Sequence, residues 1–247
     1  MKNNISFESS LAKFGIGLFE TIKVIDTPID IEFHLERMFK SIEKLEFNFN
    51  FSKNFLKNEI LNYINENKIS NKALRLTVFD EGFNISTRDI PYTQKHYEEG
   101  FRLNISPIRR GNSELNRHKT TNYYENIYTK KNATNNGYDD GIFLDSKDTV
   151  LECSMSNIFF IKDKEIFTPC SKLPILNGTK KRRIIETCDE LNIQIEEREI
   201  KLEDIKNFDF VFVSNSLMGV MKVVQIESIK YQKQNEIYTK ISKLINA

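Results

Sequence analysis

The sequence is poor in the residues that build metal sites and disulfide frameworks. It has three cysteines, Cys153, Cys170 and Cys188, and three histidines among 247 residues. The cysteines lie far apart and no C-x-x-C pair occurs, so we expect no metal centre and no disulfide framework. An odd number of cysteines is typical of a reducing compartment, which predicts a cytoplasmic protein.

The sequence also lacks long hydrophobic runs and an excess of charge of either sign. No stretch of about 18 apolar residues occurs and the N-terminus has no signal-peptide pattern, so we expect no contact with a membrane. Lys and Arg number 36 against 35 Asp and Glu, a formal net charge of +1. This balance argues against a nucleic-acid partner.

Three common motifs of enzyme sites are missing. There is no phosphate-binding P-loop and no G-x-G-x-x-G, and the "GIG" at Gly15–Gly17 precedes a predicted strand rather than a helix. The serines of "CSMSN" lack the flanking glycines of a nucleophile elbow. A nucleotide-binding fingerprint and a serine hydrolase are therefore not indicated.

The first half of the chain has the pattern of a small α/β unit. The strand candidate "FETIKVI" is followed by two segments with apolar residues at helical spacing, and then by the strands "KALRLTVF" and "FRLNISPIR". The polar segment "PIRRGNSELN" predicts a linker or active-site loop. We therefore predict an N-terminal domain over 1–108, a linker over 109–118 and a C-terminal domain over 119–247.

The second half is rich in short strands. Seven of them surround a single helix, "TKKRRIIETCDELN", and an amphipathic helix closes the chain. An earlier helix is expected to start near Asn122, where Asn122 and Glu125 have capping-box spacing, and to end at Gly137. The predicted fold class is mixed α/β (α+β), with a small N-terminal domain and a larger, barrel-like C-terminal domain.

Six motifs stand in an order that points to one family. They read "FGIGLFETIKV", "HLERM", "HKTTNYYEN", "LECSMSNIFF", "LPILNGTKKR" and "VSNSLMGVM". Together they resemble the class IV aminotransferases, the fold-type IV pyridoxal-phosphate enzymes, over residues 14–226. The "SPIRR" segment, the short length and the closing "NSLMGVM" look most like the aminodeoxychorismate lyase branch. The resemblance implies pyridoxal 5'-phosphate as cofactor and a homodimer.

The resemblance also assigns cofactor contacts. Lys119 matches the lysine that forms a Schiff base with the cofactor, and Tyr123 matches a tyrosine near its phenolic oxygen. Glu152 matches the glutamate facing the ring nitrogen, and Arg37 matches the arginine that grips the phosphate. The remaining contacts implied by the resemblance are those of Asn157, which supports Glu152, and of a phosphate cup made of Gly178, Thr179, Lys180, Asn215 and Ser216.

The phosphate motif differs from the family pattern. The usual order is Gly, an aliphatic residue, Thr and Arg, whereas this chain reads Gly178-Thr179-Lys180-Lys181. Lys180 could still meet the phosphate through its backbone N–H group. Phe19, Glu20 and Arg109 are the expected substrate contacts, with Arg110 as a rival for Arg109.

Each assignment has a plainer structural alternative. Lys119 could be an exposed loop lysine, Glu152 a solvent-facing strand residue, and Arg37 a solvated arginine on a helix surface. No carboxylate lies three or four residues from Arg37, which disfavours the last of these.

The function implied by the resemblance is aminodeoxychorismate lyase. This enzyme converts 4-amino-4-deoxychorismate to 4-aminobenzoate and pyruvate, a step in folate biosynthesis. The alternative is an aminotransferase acting on D-amino or branched-chain amino acids, which uses the same lysine, glutamate and phosphate cup. A non-catalytic binding protein that keeps the fold is a further possibility, and the presence of Lys119 and Glu152 counts against it.

Overall fold

The computed structural model describes residues 1–246, which form two compact units. Unit 1 consists of Met1–Pro91 together with the short segment His118–Tyr123. Unit 2 consists of Tyr92–Arg117 and residues 124–246. The chain thus enters unit 2, returns to unit 1 for six residues, and enters unit 2 again.

Unit 1 is a three-stranded antiparallel sheet with two long helices. Its strands lie in the order β1-β2-β3. The elements are α1 (Ser10–Phe14), β1 (Leu18–Val24), α2 (Ile31–Lys44), α3 (Lys53–Glu66), β2 (Lys72–Phe79) and β3 (Gly82–Asp89).

One face of this sheet forms the core of unit 1. Alternate residues of β1 and β2, such as Leu18, Ile22 and Leu76, pack against the apolar stripes of α2 and α3, for example Leu35 and Ile60. Because successive strand residues point to opposite faces, the residues between them lie on the other face of the sheet. The helices therefore cover only one of the two faces.

Unit 2 is built on a nine-stranded mixed sheet. The strand order is β6-β5-β4-β11-β10-β7-β8-β9, with β12 paired to β11. The pairs β4–β11, β4–β5 and β8–β9 are parallel, and the remaining pairs are antiparallel. The elements are α4 (Gln94–Glu99), β4 (Phe101–Arg110), α5 (Tyr124–Asn135), β5 (Asp140–Asp145), β6 (Val150–Cys153), β7 (Asn157–Lys162), β8 (Glu165–Pro169), α6 (Thr179–Glu190), β9 (Ile195–Arg198), β10 (Phe210–Asn215), β11 (Gly219–Ile226), β12 (Ile229–Lys230) and α7 (Glu236–Ile245).

Both faces of the central strands of this sheet are buried. Phe159 and Phe212 belong to the cluster that includes Ile184 of α6 and Ile241 of α7. Their neighbours along the strands, such as Phe160, belong to a second cluster. Burial on both faces explains why "NIFFIK" and "FVFVSN" are nearly continuous apolar runs.

The predicted mixed α/β architecture, with a small sheet and a larger curled sheet, is confirmed. Four elements, α1, β3, α4 and β12, were not predicted. The strand β4 runs through the proposed linker as far as Arg110, and its pairing with β5 shifts register between Ile105 and Arg109. Pro107 lies within that shift, where a residue without an N–H donor is tolerated.

The division into units also differs from the predicted domain boundaries. The predicted N-terminal domain ended at residue 108, but β4 pairs with β11 and β5 of the large sheet. Residues 118–123, placed in the predicted linker and C-terminal domain, belong to unit 1.

Candidate active site

The segment that carries Lys119 is held along the start of β1. The N–H of Phe19 donates to the carbonyl of Lys119 at 2.9 Å, and the N–H of Thr121 donates to the carbonyl of Gly17 at 2.8 Å. A β-carbon at Gly17 would lie 2.9 Å from the carbonyl oxygen of Val78. Glycine at this position therefore lets three stretches of chain approach closely and fixes the backbone of Lys119.

Two aromatic rings flank the Lys119 side chain. Its Nζ lies 4.4 Å from the ring centroid of Phe19 and 4.9 Å from that of Tyr123. The two rings meet edge to face, with centroids 5.2 Å apart. The structure thus brings together three of the predicted site residues, Lys119, Phe19 and Tyr123, within unit 1.

Arg37 and Glu20 form a buried ion pair. Nε of Arg37 donates to Oε1 of Glu20 at 2.8 Å, and Nη2 donates to Oε2 at 2.6 Å. His34, one turn before Arg37 on α2, contacts the same Oε2 through Nδ1 at 2.6 Å. Both oxygens of Glu20 therefore contact neighbours within unit 1, whereas the sequence predicted a substrate contact for this residue. The acidic partner of Arg37 comes from a strand, so helical spacing did not reveal it.

Arg75 was not among the predicted site residues. It lies on the helix-free face of the small sheet, with its guanidinium carbon 3.7 Å from the ring centroid of Phe19. Its Nε donates to the hydroxyl of Thr77 at 3.2 Å. Among the residues that the structure describes, no carboxylate pairs with it. Burial lowers the pKa of Arg75, and the neighbouring Arg88 lowers it further.

In unit 2, Glu152 is buried at the end of a short strand. Its Oε1 accepts a hydrogen bond from Nη1 of Arg110 at 2.8 Å, and its Oε2 accepts one from the N–H of Leu176 at 3.1 Å. The Arg110 side chain is only 4% exposed and its guanidinium carbon lies 3.5 Å from the ring centroid of Phe143. Glu152 is therefore not the solvent-facing strand residue of the plainer alternative.

The alternation along β4 separates the two candidate arginines. Arg109 is 46% exposed, and its Nη2 lies 2.8 Å from Asp148. Arg110, the next residue, points to the opposite face and reaches Glu152. The predicted substrate contact Arg109 is thus a surface ion pair, and its rival Arg110 is a partner of Glu152.

Asn126 is a further buried polar residue that the sequence did not single out. It lies on α5, accepts a hydrogen bond from Nη2 of Arg110 at 3.0 Å and donates one to the carbonyl of Ser154 at 2.7 Å. Its sequence signal is weak because α5 has exposed apolar residues, Ile127 and Tyr128, directly after it.

The predicted phosphate cup lies next to the Glu152 contacts. Gly178 is the N-cap of α6, so no side chain covers the first turn from that position. A β-carbon at Gly178 would lie 1.8 Å from Oδ1 of Asn157, whose Nδ2 donates to the carbonyl of Leu176 at 3.2 Å. Leu176 in turn contacts Glu152 through its N–H. Gly178, Asn157 and Glu152 thus form one continuous set of contacts.

Thr179 and Lys180 open the first turn of α6, and both are buried. Helix N-termini favour anions, because their N–H groups and dipole present positive charge. Lys180 is 6% exposed, so its cationic chain lies within the fold rather than in solvent. These features fit a bound phosphate.

Hydrogen bonds with Asp140 and Asn215 fix the loop after Glu152. Asp140 accepts hydrogen bonds from the hydroxyl of Ser154 and from the N–H of Met155. Burial raises the pKa of Asp140 above its ordinary value, although Lys130 and these donors act in the opposite direction. Asn215 donates to the carbonyl of Met155 at 3.1 Å, and its Oδ1 accepts the N–H groups of Leu217 and Met218 in the turn that contains Ser216. The predicted residues of unit 2 therefore cluster, apart from Arg109.

Two negative findings concern the described part of the chain only. No group of three or more His, Cys, Asp or Glu residues there could hold a metal ion. No helix among residues 1–246 combines the length and the apolar character needed to cross a membrane.

Comparison of the sequence with known proteins identifies one family. The family model for amino-transferase class IV matches residues 17–226. A relative from Rickettsia felis, named probable branched-chain-amino-acid aminotransferase, is 30% identical over 208 residues, which are 78% of this chain and 71% of the relative. The aminodeoxychorismate lyase of Bacillus subtilis is 28% identical over 238 residues, 90% of this chain and 81% of the relative.

A solved structure shows the same fold. The crystal structure of 4-amino-4-deoxychorismate lyase from Pseudomonas aeruginosa superposes with a TM-score of 0.90 at 20% identity, and the match covers 100% of this chain and 96% of that one. The matched family consists of pyridoxal-phosphate-dependent enzymes. The chain belongs to the class IV aminotransferase family.

Proposed function

We propose that the protein is a pyridoxal-phosphate-dependent aminodeoxychorismate lyase. It would convert 4-amino-4-deoxychorismate to 4-aminobenzoate and pyruvate for folate synthesis. Two local arrangements support the proposal, one in each unit. In unit 1 the amine of Lys119 lies 4.4 Å and 4.9 Å from two ring centroids, and in unit 2 the buried Glu152 is paired with an arginine.

The residues present fit the cofactor. In unit 2 a buried carboxylate suits the ring nitrogen, and the glycine N-cap of α6 suits a phosphate. In unit 1 Arg37 is a guanidinium of the kind that binds phosphate. A β-carbon at Gly178 would clash with Oδ1 of Asn157, so glycine is needed there for the close packing of Asn157 against the start of α6. Lys119 would hold the cofactor's aldehyde, and Tyr123 lies beside it.

The proposed roles follow from these positions. When bound, the cofactor's ring accepts the electron pair released as the C–H bond next to the substrate amine breaks. The amine of Lys119 is the base that removes the proton from that carbon. The carboxylate of Glu152 holds a proton at the ring nitrogen, and Arg110 and Leu176 hold that carboxylate in place. Loss of the enolpyruvyl group then leaves an aromatic product.

Arg75 is the residue that best suits a substrate carboxylate. It shares the Phe19 ring with Lys119 and has no carboxylate partner among residues 1–246. The proposed substrate carries one carboxylate on its ring and one on the group released as pyruvate. Arg75 therefore replaces Arg109 in the role that the sequence suggested.

The lyase is favoured over the aminotransferase by the extent of the sequence match. The Bacillus subtilis lyase aligns with 90% of the chain, whereas the Rickettsia felis relative aligns with 78%. The second candidate is an aminotransferase for branched-chain or D-amino acids, which the 30% identity to the Rickettsia felis relative favours.

A homodimer in the cytoplasm is part of the proposal, and mass photometry at micromolar concentration tests its assembly.

Product analysis tests the function. The purified protein with pyridoxal phosphate is incubated with 4-amino-4-deoxychorismate, and separately with branched-chain and D-amino acids plus 2-oxoglutarate. We expect 4-aminobenzoate and pyruvate in equal amounts from the first and little glutamate from the second. Glutamate formation without 4-aminobenzoate would show that the protein is an aminotransferase.

A further inference from the structure

Glu20 lies where a charged group is costly. It is on β1, and its side chain points to the sheet face that packs against α2, between the core residues Leu18 and Ile22. The residue is 1% exposed. A carboxylate taken out of water in this way is tolerated only when its oxygens receive good hydrogen bonds or an opposite charge.

Glu20 receives both. Arg37 donates to the two oxygens in a side-by-side fork through Nε and Nη2, and His34 adds a third contact at Oε2. Burial alone would raise the pKa of Glu20, but the charges and hydrogen bonds of Arg37 and His34 lower it to about 2. Burial lowers the pKa of His34, so the neutral ring donates from Nδ1. Glu20 is therefore an anion at any working pH.

The fork determines the orientation of Arg37. A guanidinium has five N–H bonds in one plane, and two of them, one on Nε and one on Nη2, are directed at Glu20. The other three point away from the carboxylate in the same plane. The Arg37 side chain is 14% exposed, so its guanidinium is close to the edge of the core rather than sealed inside it.

An arginine fixed in this way is prepared for an anion. A free arginine side chain loses much rotamer freedom when it binds, and a fold that has already fixed it removes that cost from binding. A buried ion pair is not needed for stability, because apolar residues of similar volume often serve as well. The geometry therefore favours a functional reason for burying Glu20.

We propose that Glu20 is a positioning residue that fixes the guanidinium of Arg37 for the phosphate group of the cofactor. The inference rests on the proposed function, in which Arg37 binds that phosphate. Glu20 itself touches neither cofactor nor substrate, in contrast to the substrate contact that the sequence suggested. His34 supports the arrangement by holding the second oxygen of Glu20.

The test compares two probes that differ only in the phosphate. Dissociation constants of pyridoxal 5'-phosphate and of pyridoxal are measured by absorbance titration of the cofactor-free protein. The variants are Glu20→Asp, Arg37→Met and the double variant. Glu20→Asp keeps the charge but is one methylene too short for the fork, so it separates orientation from charge.

We expect Glu20→Asp to weaken pyridoxal phosphate binding at least about tenfold while pyridoxal binding changes less than about twofold. In the Arg37→Met background Glu20→Asp should have no further effect. A matched control is Glu32→Asp on α2, whose carboxylate pairs with Lys57 at the surface, and it should bind both probes like the wild type. Circular dichroism at the titration temperature confirms that each variant is folded.

Several results would overturn the inference. One is that Glu20→Asp weakens the binding of both probes equally. Another is that Glu20→Asp weakens pyridoxal phosphate binding by the same factor in the Arg37→Met background. A third is that Glu20→Asp leaves pyridoxal phosphate binding unchanged although Arg37→Met weakens it. If Arg37→Met binds pyridoxal phosphate like the wild type, the proposed phosphate role of Arg37 fails together with the inference. If Glu20→Asp does not fold, Glu20→Gln takes its place, since it keeps the length but has one acceptor oxygen. Tighter binding of pyridoxal phosphate by Glu20→Gln would contradict positioning.

Discussion

Each unit buries one glutamate against one arginine, and the two pairs are built differently. In unit 1, Glu20 uses both oxygens on side chains, the fork of Arg37 and the ring of His34. In unit 2, Glu152 receives one N–H bond from Arg110 and one from the backbone of Leu176. Arg37 thus donates to both oxygens of Glu20, whereas Arg110 and Leu176 each donate to one oxygen of Glu152.

The difference indicates that the supporting residue is the glutamate in one pair and the arginine in the other. In unit 1 the carboxylate orients the arginine, which we propose as the contact of the cofactor's phosphate. In unit 2 the arginine is the supporting group: it is stacked on Phe143, bonded to Asn126 and directed at Glu152. In our proposal, the pair in unit 1 orients its arginine for the phosphate, and the pair in unit 2 orients its glutamate for the ring nitrogen.

The largest effect should come from removing the charge of Glu152. Glu152→Gln keeps the size and a hydrogen bond but no longer holds a proton at the ring nitrogen. We expect kcat to fall about 100-fold or more while cofactor affinity changes little, because the loss concerns the transition state. Single-turnover kinetics and cofactor titration measure the two quantities. Wild-type rates would show that Glu152 does not face the ring.

Breaking either pair from the arginine side should cost stability. Arg37→Met leaves Glu20 buried with only part of its donors, and Arg110→Met does the same to Glu152. We expect each to lower the free energy of unfolding by about 3–5 kcal/mol. The double variant Glu20→Leu/Arg37→Met should recover most of this loss, because no buried charge remains unpaired. Urea denaturation of the wild type and the three variants measures these differences, and an unstable double variant would contradict the reasoning.

The pH dependence of stability should report on the pair in unit 1. Glu20 has a folded pKa of about 2 against an ordinary value of 4.5, so its contribution is present above pH 4.5 and is lost as the pH falls towards 2. His34 has a lowered folded pKa, so the unfolded chain takes up its proton near pH 6.5 while the folded protein resists it. Both groups make acid destabilising.

The expected slope is at most about 1.4 kcal/mol per pH unit for each proton. The Glu20→Leu/Arg37→Met variant lacks the contribution of Glu20 to the pH dependence of the unfolding free energy. Its unfolding free energy should therefore fall less steeply than that of the wild type below pH 4.5. Urea titrations at pH 7, 4.5, 3.5 and 3 measure the difference, and parallel curves would contradict the assigned role of Glu20.

The sequence predicted the strongly periodic elements and missed the weak ones. The helix α2 was predicted from Leu35, Met38 and its other apolar residues, which pack against the small sheet. The strand β3 was missed because only Phe83 and Ile85 of its eight residues are core side chains and it lies at the sheet edge. The helix α4 has six residues and buries none of them, so it leaves no apolar pattern.

The candidate site was predicted from motifs rather than from contacts. Motif order placed Lys119, Glu152 and Gly178, and the structure adds the partners that no spacing could show. Glu20 meets Arg37 across 17 positions of the chain, and Arg110 meets Glu152 across 42. Alternation along β4 could have separated Arg109 from Arg110, but the predicted strand "FRLNISPIR" ended at Arg109, one residue before the end of β4.

The central claim is that Lys119 carries the cofactor. The protein is loaded with pyridoxal phosphate, reduced with borohydride, digested and analysed by peptide mass spectrometry, with Lys119→Arg as the matched control. We predict a phosphopyridoxyl group on the peptide that contains Lys119 and none at that position in the control. A reduced adduct on another lysine of the wild type, or no adduct with cofactor in excess, would contradict the account.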